Sequence, residues 1–576
     1  MIVRGRSRHV VTLLALGMLL AGCAQASTPV APGAGNGVAP SQPATPKRLV
    51  AATMSDPKAV SSNDVVAGSG TIQGGDALED LVNAGMVVID NKGKLHAQLA
   101  EAVPSLENGL WKLLPDGRME MTWHIREGAQ WHDGTPFTPD DLIFSTALAR
   151  DRDLPLFREP AADLIESIQA PDARTVVVTW KQPFIQADTV FGRRIIQPRP
   201  RHIFEQAYTE AKDTVTGLPY WTTGYVGTGP YKVREWTTGA HVVLEANDRF
   251  VLGRPKIDQI EVRFIPSPDT LAANILAGEV QLTLGRNLSL AQALQIRDQW
   301  QAGHVGVGYK NWIAAYPQLM NPSQPALLAN VELRRALLYA LDRQQLVETL
   351  QAGIVPVADS ILPPSDPAYP LVQNSIVRYG YDPARAAQIV QGLGYAKGAD
   401  GVYRDGAGQA LNIQVQTSAD DDAQVAGNLA LADAWKQFGL ASESYLLPQA
   451  QRNDREVVAN YPGVRVWRQP NDIDDLRRYS SNMAPMAENR FQGGNRSRYQ
   501  NPALDGIIDR YMTTIPLDQR MSVLGEVLHH LTDQVVVMGL WYNTEPVEIS
   551  NRLINVNPRD AGQTTEAWNA HEWDLQ

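Results

Sequence analysis

Apolar and polar positions alternate in two rhythms along this chain. Thr175-Val176-Val177-Val178-Thr179-Trp180 is rich in β-branched residues, and Ile260, Val262 and Phe264 alternate with Glu261 and Arg263, the period-two pattern of a strand with one buried face. Val535-Val536-Val537-Met538-Gly539-Leu540-Trp541 is a further β-rich run. Helices announce themselves by their caps. Thr138-Pro139-Asp140-Asp141 sets a hydroxyl at the N-cap, a proline where the amide hydrogen would go unused and acids in the first turn, all ahead of Leu142-Ile143-Phe144. Asp382-Pro383 opens a second helix in the same way, with Ile389, Val390 and Leu393 on one face and Gly394 near its end. A third is predicted from about Val331 to Leu350: Leu333, Ala336, Leu337, Ala340 and Leu341 form its apolar stripe, and Gly353 and Pro356 stop it. The class is mixed α/β, with no short repeat and no heptad run.

A different pattern opens the chain. Arg4, Arg6 and Arg8 precede an apolar run from Val10 to Leu20, which has the charged and apolar parts of a secretory signal and is too short to span a bilayer as a permanent helix. Leu20-Ala21-Gly22-Cys23 follows. The small residues admit a peptidase, and the stretch resembles the bacterial lipobox, whose cysteine receives a diacylglycerol before cleavage. Residues 1–22 are thus expected to be a signal peptide and Cys23 the lipidation point. Residues 23–46 are almost wholly small or weakly polar, without an aromatic, and read as a flexible tether. About five hundred residues of ordinary globular composition follow, enough for two or more domains.

Composition then removes several classes of function. Cys23 is the only cysteine, so disulfides, thiolate catalysis and thiolate metal sites are excluded for the mature chain. Losing residues 1–22 takes away three arginines and no acid, which moves the formal charge from −11 to −14 and argues against a nucleic-acid partner. There is no G-x-x-x-x-G-K-[ST] loop, no H-E-x-x-H helix and no G-x-S-x-G elbow. His124, His132 and Asp133 lie close together, but at no known metal spacing, so they read as structural. His529 and His530 are adjacent in a helical stretch and point apart. Asp420-Asp421-Asp422 lacks the glycine and final glutamate of a calcium loop and reads as a solvated helix start. Gly224 to Pro230 is glycine-rich, but no helical pattern follows it, so a turn entering a strand at Tyr231 is expected rather than a dinucleotide loop. No cofactor, metal or catalytic residue is assigned.

Five blocks, in order, resemble one family. Trp123-His124-Ile125-Arg126-Glu127-Gly128-Ala129-Gln130-Trp131-His132-Asp133-Gly134-Thr135-Pro136-Phe137-Thr138-Pro139-Asp140-Asp141 is similar to the L-R-x-G-x-x-F-H-D-G-x-P-F-T-A-x-D signature of the peptide/nickel family of extracellular solute-binding proteins, the receptors of peptide-type ABC importers. Gly227-Thr228-Gly229-Pro230-Tyr231 resembles its G-T-G-P-Y turn. Asn247 to Phe250 with Pro255 to Asp258, Arg334 to Leu337 with Ala340 to Arg343, and Tyr499 to Asp505 resemble its next three blocks. Together they run from about residue 95 to residue 510, in the family's order.

The resemblance implies an α/β fold of two periplasmic-binding-protein-like lobes (type II), with an extra domain inserted in the first. Lobe I is expected at 47–75, 190–305 and 536–576, with Val535 to Trp541 packing back onto it, the insertion at 76–189 and lobe II at 306–535. It also implies a non-enzymatic monomer, held outside the cell membrane by its lipid, on the periplasmic face or the cell surface. Such a receptor closes on a solute and delivers it to ABC permease subunits. Oligopeptides are the expected ligand; an oligosaccharide or another solute, a ligand-sensing lipoprotein and, last, a secreted hydrolase are the alternatives. In peptide-binding members a W-x-x-D-Y stretch meets the ligand, its aspartate pairing with the peptide ammonium. Its counterpart here is Trp467-Arg468-Gln469-Pro470-Asn471-Asp472. Pro470 stands in place of the aspartate, so the implied contacts are Trp467, Arg468, Gln469 and Asp472, with Asp472 a substitute anchor and Arg468 a candidate grip on carboxylate or phosphate. Trp467 fits ligand stacking and core packing equally. Gln281, where the family has an aspartate, is expected to be structural.

Overall fold

The strands that organise the chain are β1 (Arg48–Thr53), β2 (Trp111–Leu113), β3 (Met119–His124), β4 (Ile165–Asp172), β5 (Thr175–Trp180), β6 (Tyr231–Thr237), β7 (His241–Ala246), β8 (Gln259–Phe264), β9 (Leu282–Thr283), β10 (Gly303–Pro317), β11 (Asn412–Ser418), β12 (Ala441–Leu447), β13 (Val464–Pro470) and β14 (Met538–Ser550). This is a computed structural model; it describes residues 46–60, 74–154, 159–320, 326–560 and 564–576. The signal, the lipidation point Cys23 and nearly all of the tether lie outside the described residues.

Ten strands form one sheet, in the order β12-β11-β13-β10-β14-β9-β1-β8-β7-β6. At one end β1 lies parallel to β8 and β9, while β6, β7 and β8 run as an antiparallel meander. At the other end β11 lies parallel to both β12 and β13. Two long strands join these halves. β10 spans fifteen residues: Asn311–Pro317 pair with β13, and nearly the whole strand pairs with β14, through a register shift between Gly308 and Asn311. β14 is buried along its whole length, as a central strand covered on both faces must be. The two ends are the two lobes of a binding-protein fold, and β10 and β14 are the spans between them.

A separate four-stranded sheet, β2-β3-β5-β4, makes the inserted domain. Met119, Met121 and Trp123 of β3 and Val176, Val178 and Trp180 of β5 turn their alternate side chains into its core. This domain touches the second lobe, where the Ile185 amide donates to the carbonyl of Met512 at 3.2 Å.

The helices follow their caps. α1 (Gly75–Val82) precedes α2 (Pro139–Arg150), where the Asp141 carboxylate accepts from the Thr138 amide at 2.9 Å. The predicted helix from Val331 to Leu350 is two: α3 (Val331–Tyr339) and α4 (Arg343–Leu350). The break comes at Asp342, whose side chain accepts from the Gln345 amide at 2.9 Å and so caps a new helix inside what reads as one apolar stripe. α5 (Pro383–Gly392) is capped by Asp382, followed by α6 (Asp422–Phe438), α7 (Pro502–Thr513) and α8 (Leu517–Asp533). No helix among the described residues is long and apolar enough to cross a membrane.

The β-rich run at Val535 differs from its expected place. Met538 to Trp541 pair with Ile313 to Ala315 of β10, on the second-lobe side. Only the continuation reaches lobe I, where Ile549 pairs with Leu282 of β9. A strand long enough to belong to both lobes leaves no trace of that in its local pattern.

Candidate functional site

The motif residues hold the frame around the junction. His132, in the first block, is buried against the glycine turn of the second: its Nδ1 accepts from the Gly227 amide and its Nε2–H donates to the Gly229 carbonyl, both at 3.1 Å. Burial drives its pKa down to about 3, so it stays neutral and in one tautomer. A Cβ on Gly227 would stand 2.1 Å from the Val82 carbonyl, and one on Gly229 would stand 2.4 Å from the Asn83 amide. The glycines therefore let this turn lie flat on the end of α1, where the Thr228 hydroxyl donates to the Ala84 carbonyl at 2.6 Å and accepts from the Ala84 amide at 3.0 Å. The turn leads into β6 at Tyr231, as the sequence predicts. His124 hydrogen-bonds Thr175 at 3.1 Å, and Asp133 pairs with His202 at 2.8 Å. His529 meets the Ser375 carbonyl and His530 meets the Tyr499 hydroxyl, so the two diverge. Gln281 accepts from the Val50 amide at 3.0 Å, a structural contact.

Arg334 and Arg343 play the same part in lobe II. Arg334 donates to the carbonyls of Leu328, Ala329 and Gln534 at 2.7 to 2.8 Å. Arg343 donates to Ala358, Gly539 and Tyr379 and pairs with Asp359 at 2.9 Å.

Where the lobes meet, charge gathers. Glu545, buried on β14, pairs with Arg559 at 2.6 Å, and Arg559 also pairs with Glu566 at 2.6 Å. Burial would raise the Glu545 pKa, but Arg559, Lys310 and Arg468 outweigh it and lower it. Glu566 goes the other way, raised by burial over the pull of Arg559. Lys310 of β10 reaches Asp76 of α1 at 3.3 Å; the Asp76 carboxyl stays ionised because Lys310, Arg193 and Arg559 outweigh its burial. Asp421 caps α6 from a buried position and pairs with Arg468 at 2.8 Å and with Arg286 of lobe I at 3.0 Å. The run Asp420-Asp421-Asp422 is thus a helix start, but its middle member is not solvated: two arginines hold it inside, and they keep its pKa low against burial. A groove of about 420 Å³ opens here, lined by Arg286, Asn287, Asp421, Asn543 and Glu545 among others.

The four residues singled out around Trp467 do not converge. Alternate residues of β13 face opposite sides of the sheet, so Arg468 points toward Asp421 and Glu545, away from Trp467 and Gln469. The Trp467 indole lies under two guanidinium groups, those of Arg465 at 4.4 Å and Arg496 at 4.1 Å from the ring centroid. Gln469 accepts from Arg478 at 2.6 Å. Asp472 pairs with Arg194 at 2.7 Å and caps the following turn through the Asp474 amide. Sequence reasoning misses Arg194, Arg286, Glu545 and Arg496. Each matters through a partner distant in the chain, and no local pattern announces that.

Two α/β lobes spanned by shared strands, with a domain inserted in the first, define the class: a two-lobed binding-protein fold. The chain belongs to the bacterial extracellular solute-binding proteins, family 5, whose middle-region profile matches residues 99–485. A Brucella ovis protein provisionally named an ABC transporter peptide-binding protein is 28% identical over 279 residues, covering 47% of this chain and 48% of that protein. This chain spans about half the length of the curated relatives it matches. Among solved structures, the oligopeptide-binding protein of Thermus thermophilus with a pentapeptide superposes with a TM-score of 0.70 at 20% identity, over 92% of this chain and 96% of that one. NikZ of Campylobacter jejuni with Ni(L-His) gives 0.72 at 20% identity, over 92% and 100%. At that identity the likeness speaks for the fold.

Proposed function

We propose that this chain is the solute receptor of an ABC importer, working outside the cytoplasmic membrane as a lipid-anchored monomer and turning nothing over. A solute enters between the lobes, binds the closed form better than the open one, and so shifts the population toward a shape that docks on permease subunits. The observation that carries this reading is the junction itself. β10 and β14 run unbroken through both lobes, while Arg194–Asp472 and Arg286–Asp421 connect them side to side. On this reading lobe I is 47–75 and 190–305 with the end of β14 and the residues after it, lobe II is 306–535 with the start of β14, 76–189 is inserted, and β10 and β14 are shared as the hinge. Oligopeptides are the leading ligand class, since the Brucella ovis relative is named for peptides and the Thermus neighbour holds one.

Native mass spectrometry of the purified chain tests this through any copurified solute. A thermal-shift screen of peptide and sugar libraries then identifies the class, because a ligand at a hundredfold excess over its Kd adds roughly 2.7 kcal/mol of stability. Chromatography must recover the hit unchanged; a consumed ligand overturns the receptor reading in favour of a hydrolase. The anchor has its own test. Cys23→Ser leaves no thiol to acylate and should move the protein from membranes to the soluble fraction, and a variant that still pellets fully removes lipidation from the proposal.

A further inference from the structure

One face of β13 carries charge that nothing nearby balances. Arg465, Trp467 and Gln469 share it, opposite Tyr316, Ala314 and Trp312 of β10. Arg465 and Arg496 both lie over the Trp467 ring, and Arg498 follows two residues after Arg496. Arg465 is 2% exposed and donates to Gln416 Oε1 at 2.8 Å and Ser418 Oγ at 2.9 Å; Arg498 donates to Asn460 Oδ1 at 2.7 Å. Every one of these acceptors is neutral. The Nε–H of all three arginines is buried without an acceptor among the described residues.

Other arginines of this chain show what a satisfied one looks like. Arg334 spends its guanidinium on backbone carbonyls, Arg468 pairs with Asp421, and Arg478 pairs with Asp475. Among the described residues no carboxylate lies within ion-pair distance of Arg465, Arg496 or Arg498, and Asp420, the acid that acts on Arg465, is itself paired with Arg452 at 3.0 Å. Burial, with Arg496 beside it, pulls the Arg465 pKa down to about 10. Desolvated cations with neutral partners are costly, and an arriving anion offsets that cost while accepting from forked N–H donors. The position also suits a ligand. Gln416 and Ser418 stand at the carboxyl end of parallel β11, where open α/β sheets bind their ligands, and Trp467 and Arg496 are only partly buried, which leaves a way in.

We propose that Arg465 and Arg496, which flank Trp467, together with Arg498 two residues further along the same segment, form a subsite for a compact anionic group, carboxylate or phosphate, on the solute. The assignment rests on the receptor reading only for the molecule to which that group is attached. Titration calorimetry of the purified chain with succinate and with inorganic phosphate, at matched ionic strength, tests it. The parent should bind at least one of the two, and Arg496→Gln and Arg498→Gln should each weaken that binding tenfold or more. Arg297→Gln, an exposed residue paired with Asp298, should leave it unchanged. Stronger succinate binding assigns a carboxylate and stronger phosphate binding assigns a phosphate. Arg496→Lys, which keeps the charge and loses the fork, should fall between parent and Gln variant and serves as well if the Gln variants fold poorly. Equal affinity in parent and variants, or no binding of either anion by the parent, overturns the subsite. Peptide binding that survives such a result leaves the receptor standing, whereas anion binding at the trio with no solute found overturns the receptor reading alone.

Discussion

Arg194 and Asp472, 278 residues apart in sequence, meet at 2.7 Å where the turn after β13 in lobe II faces the segment leading out of the inserted domain. The pair is unequal: the Asp472 side chain is 6% exposed and that of Arg194 42%. Removing the arginine leaves a buried carboxylate beside Asp474, whereas removing the aspartate frees an arginine that already reaches water. Arg194→Gln should therefore destabilise the chain more than Asp472→Asn. Half-exposure screens the pair, so the cost should be about 1 kcal/mol rather than the roughly 3–5 kcal/mol of a fully buried one. Urea midpoints measure it, and small-angle scattering should show the ligand-free Arg194→Gln chain more open.

Asp474 makes stability depend on pH. It is buried, and desolvation first, then Asp472 and Asp188, pushes its pKa up to about 8; Arg194 and Arg520 pull the other way. Asp188 is pushed up to about 6 by its own burial. The unfolded chain ionises these groups near 3.8, so between there and pH 8 unfolding releases a proton that the folded chain keeps. Their contribution is thus full below pH 3.8 and is lost as pH rises through the folded values. Asp474→Asn should remove the larger part of that slope, with a gain over the parent that grows from about pH 4 to about pH 8 by roughly 1.4 kcal/mol per pH unit at most. Urea titrations at several pH values decide it, and parallel curves for parent and variant would refute the assignment.

His132 works in the opposite sense. It ionises near 6.5 when unfolded and only near 3 when folded, so its contribution is full above pH 6.5 and is lost as pH falls toward 3, where unfolding takes up a proton. His132→Ala also strands the Gly227 amide, buried against α1. The expected loss is about 2–4 kcal/mol at about pH 7, smaller at about pH 5. Equal losses at the two pH values would mean that the ring is not held neutral.

What the sequence discloses and what it hides divide along one line. The blocks around His132, Thr228, Arg334, Arg343 and Asn501 are legible because each fixes backbone locally: a cap, a turn pressed on a helix end, a guanidinium filling a set of carbonyls. They locate the fold, including the inserted sheet. The site is not legible, since its geometry is made of charge pairs between distant segments. Asp421 reads as solvated until Arg286, 135 positions away, is seen against it. Arg468 and Trp467 are neighbours in sequence, and the strand sends them to opposite faces. The helix break at Asp342 escapes the sequence for a related reason: the apolar stripe continues across it, and only the cap bond to Gln345 shows that the axis restarts.

The last prediction concerns the ligand's end group. Pro470 cannot supply the charge that peptide-binding members place there, and the nearest substitute, Asp472, is already engaged by Arg194. Asp474, beside it, favours its protonated form at neutral pH and so adds little negative charge. A desolvated ammonium without a partner costs several kcal/mol, and an Asp472 held by Arg194 offers it none. A peptide acetylated at its amino terminus should accordingly bind at least as well as its free counterpart. Blocking the carboxyl end or replacing an acidic side chain should weaken binding on the proposed subsite, in which Arg496 and Arg498 accept that anion. Calorimetry on one matched pair, acetylated and free, is sufficient. A tenfold preference for the free amine, about 1.4 kcal/mol, would sink the prediction and make Asp472 the anchor, released from Arg194 when the solute arrives.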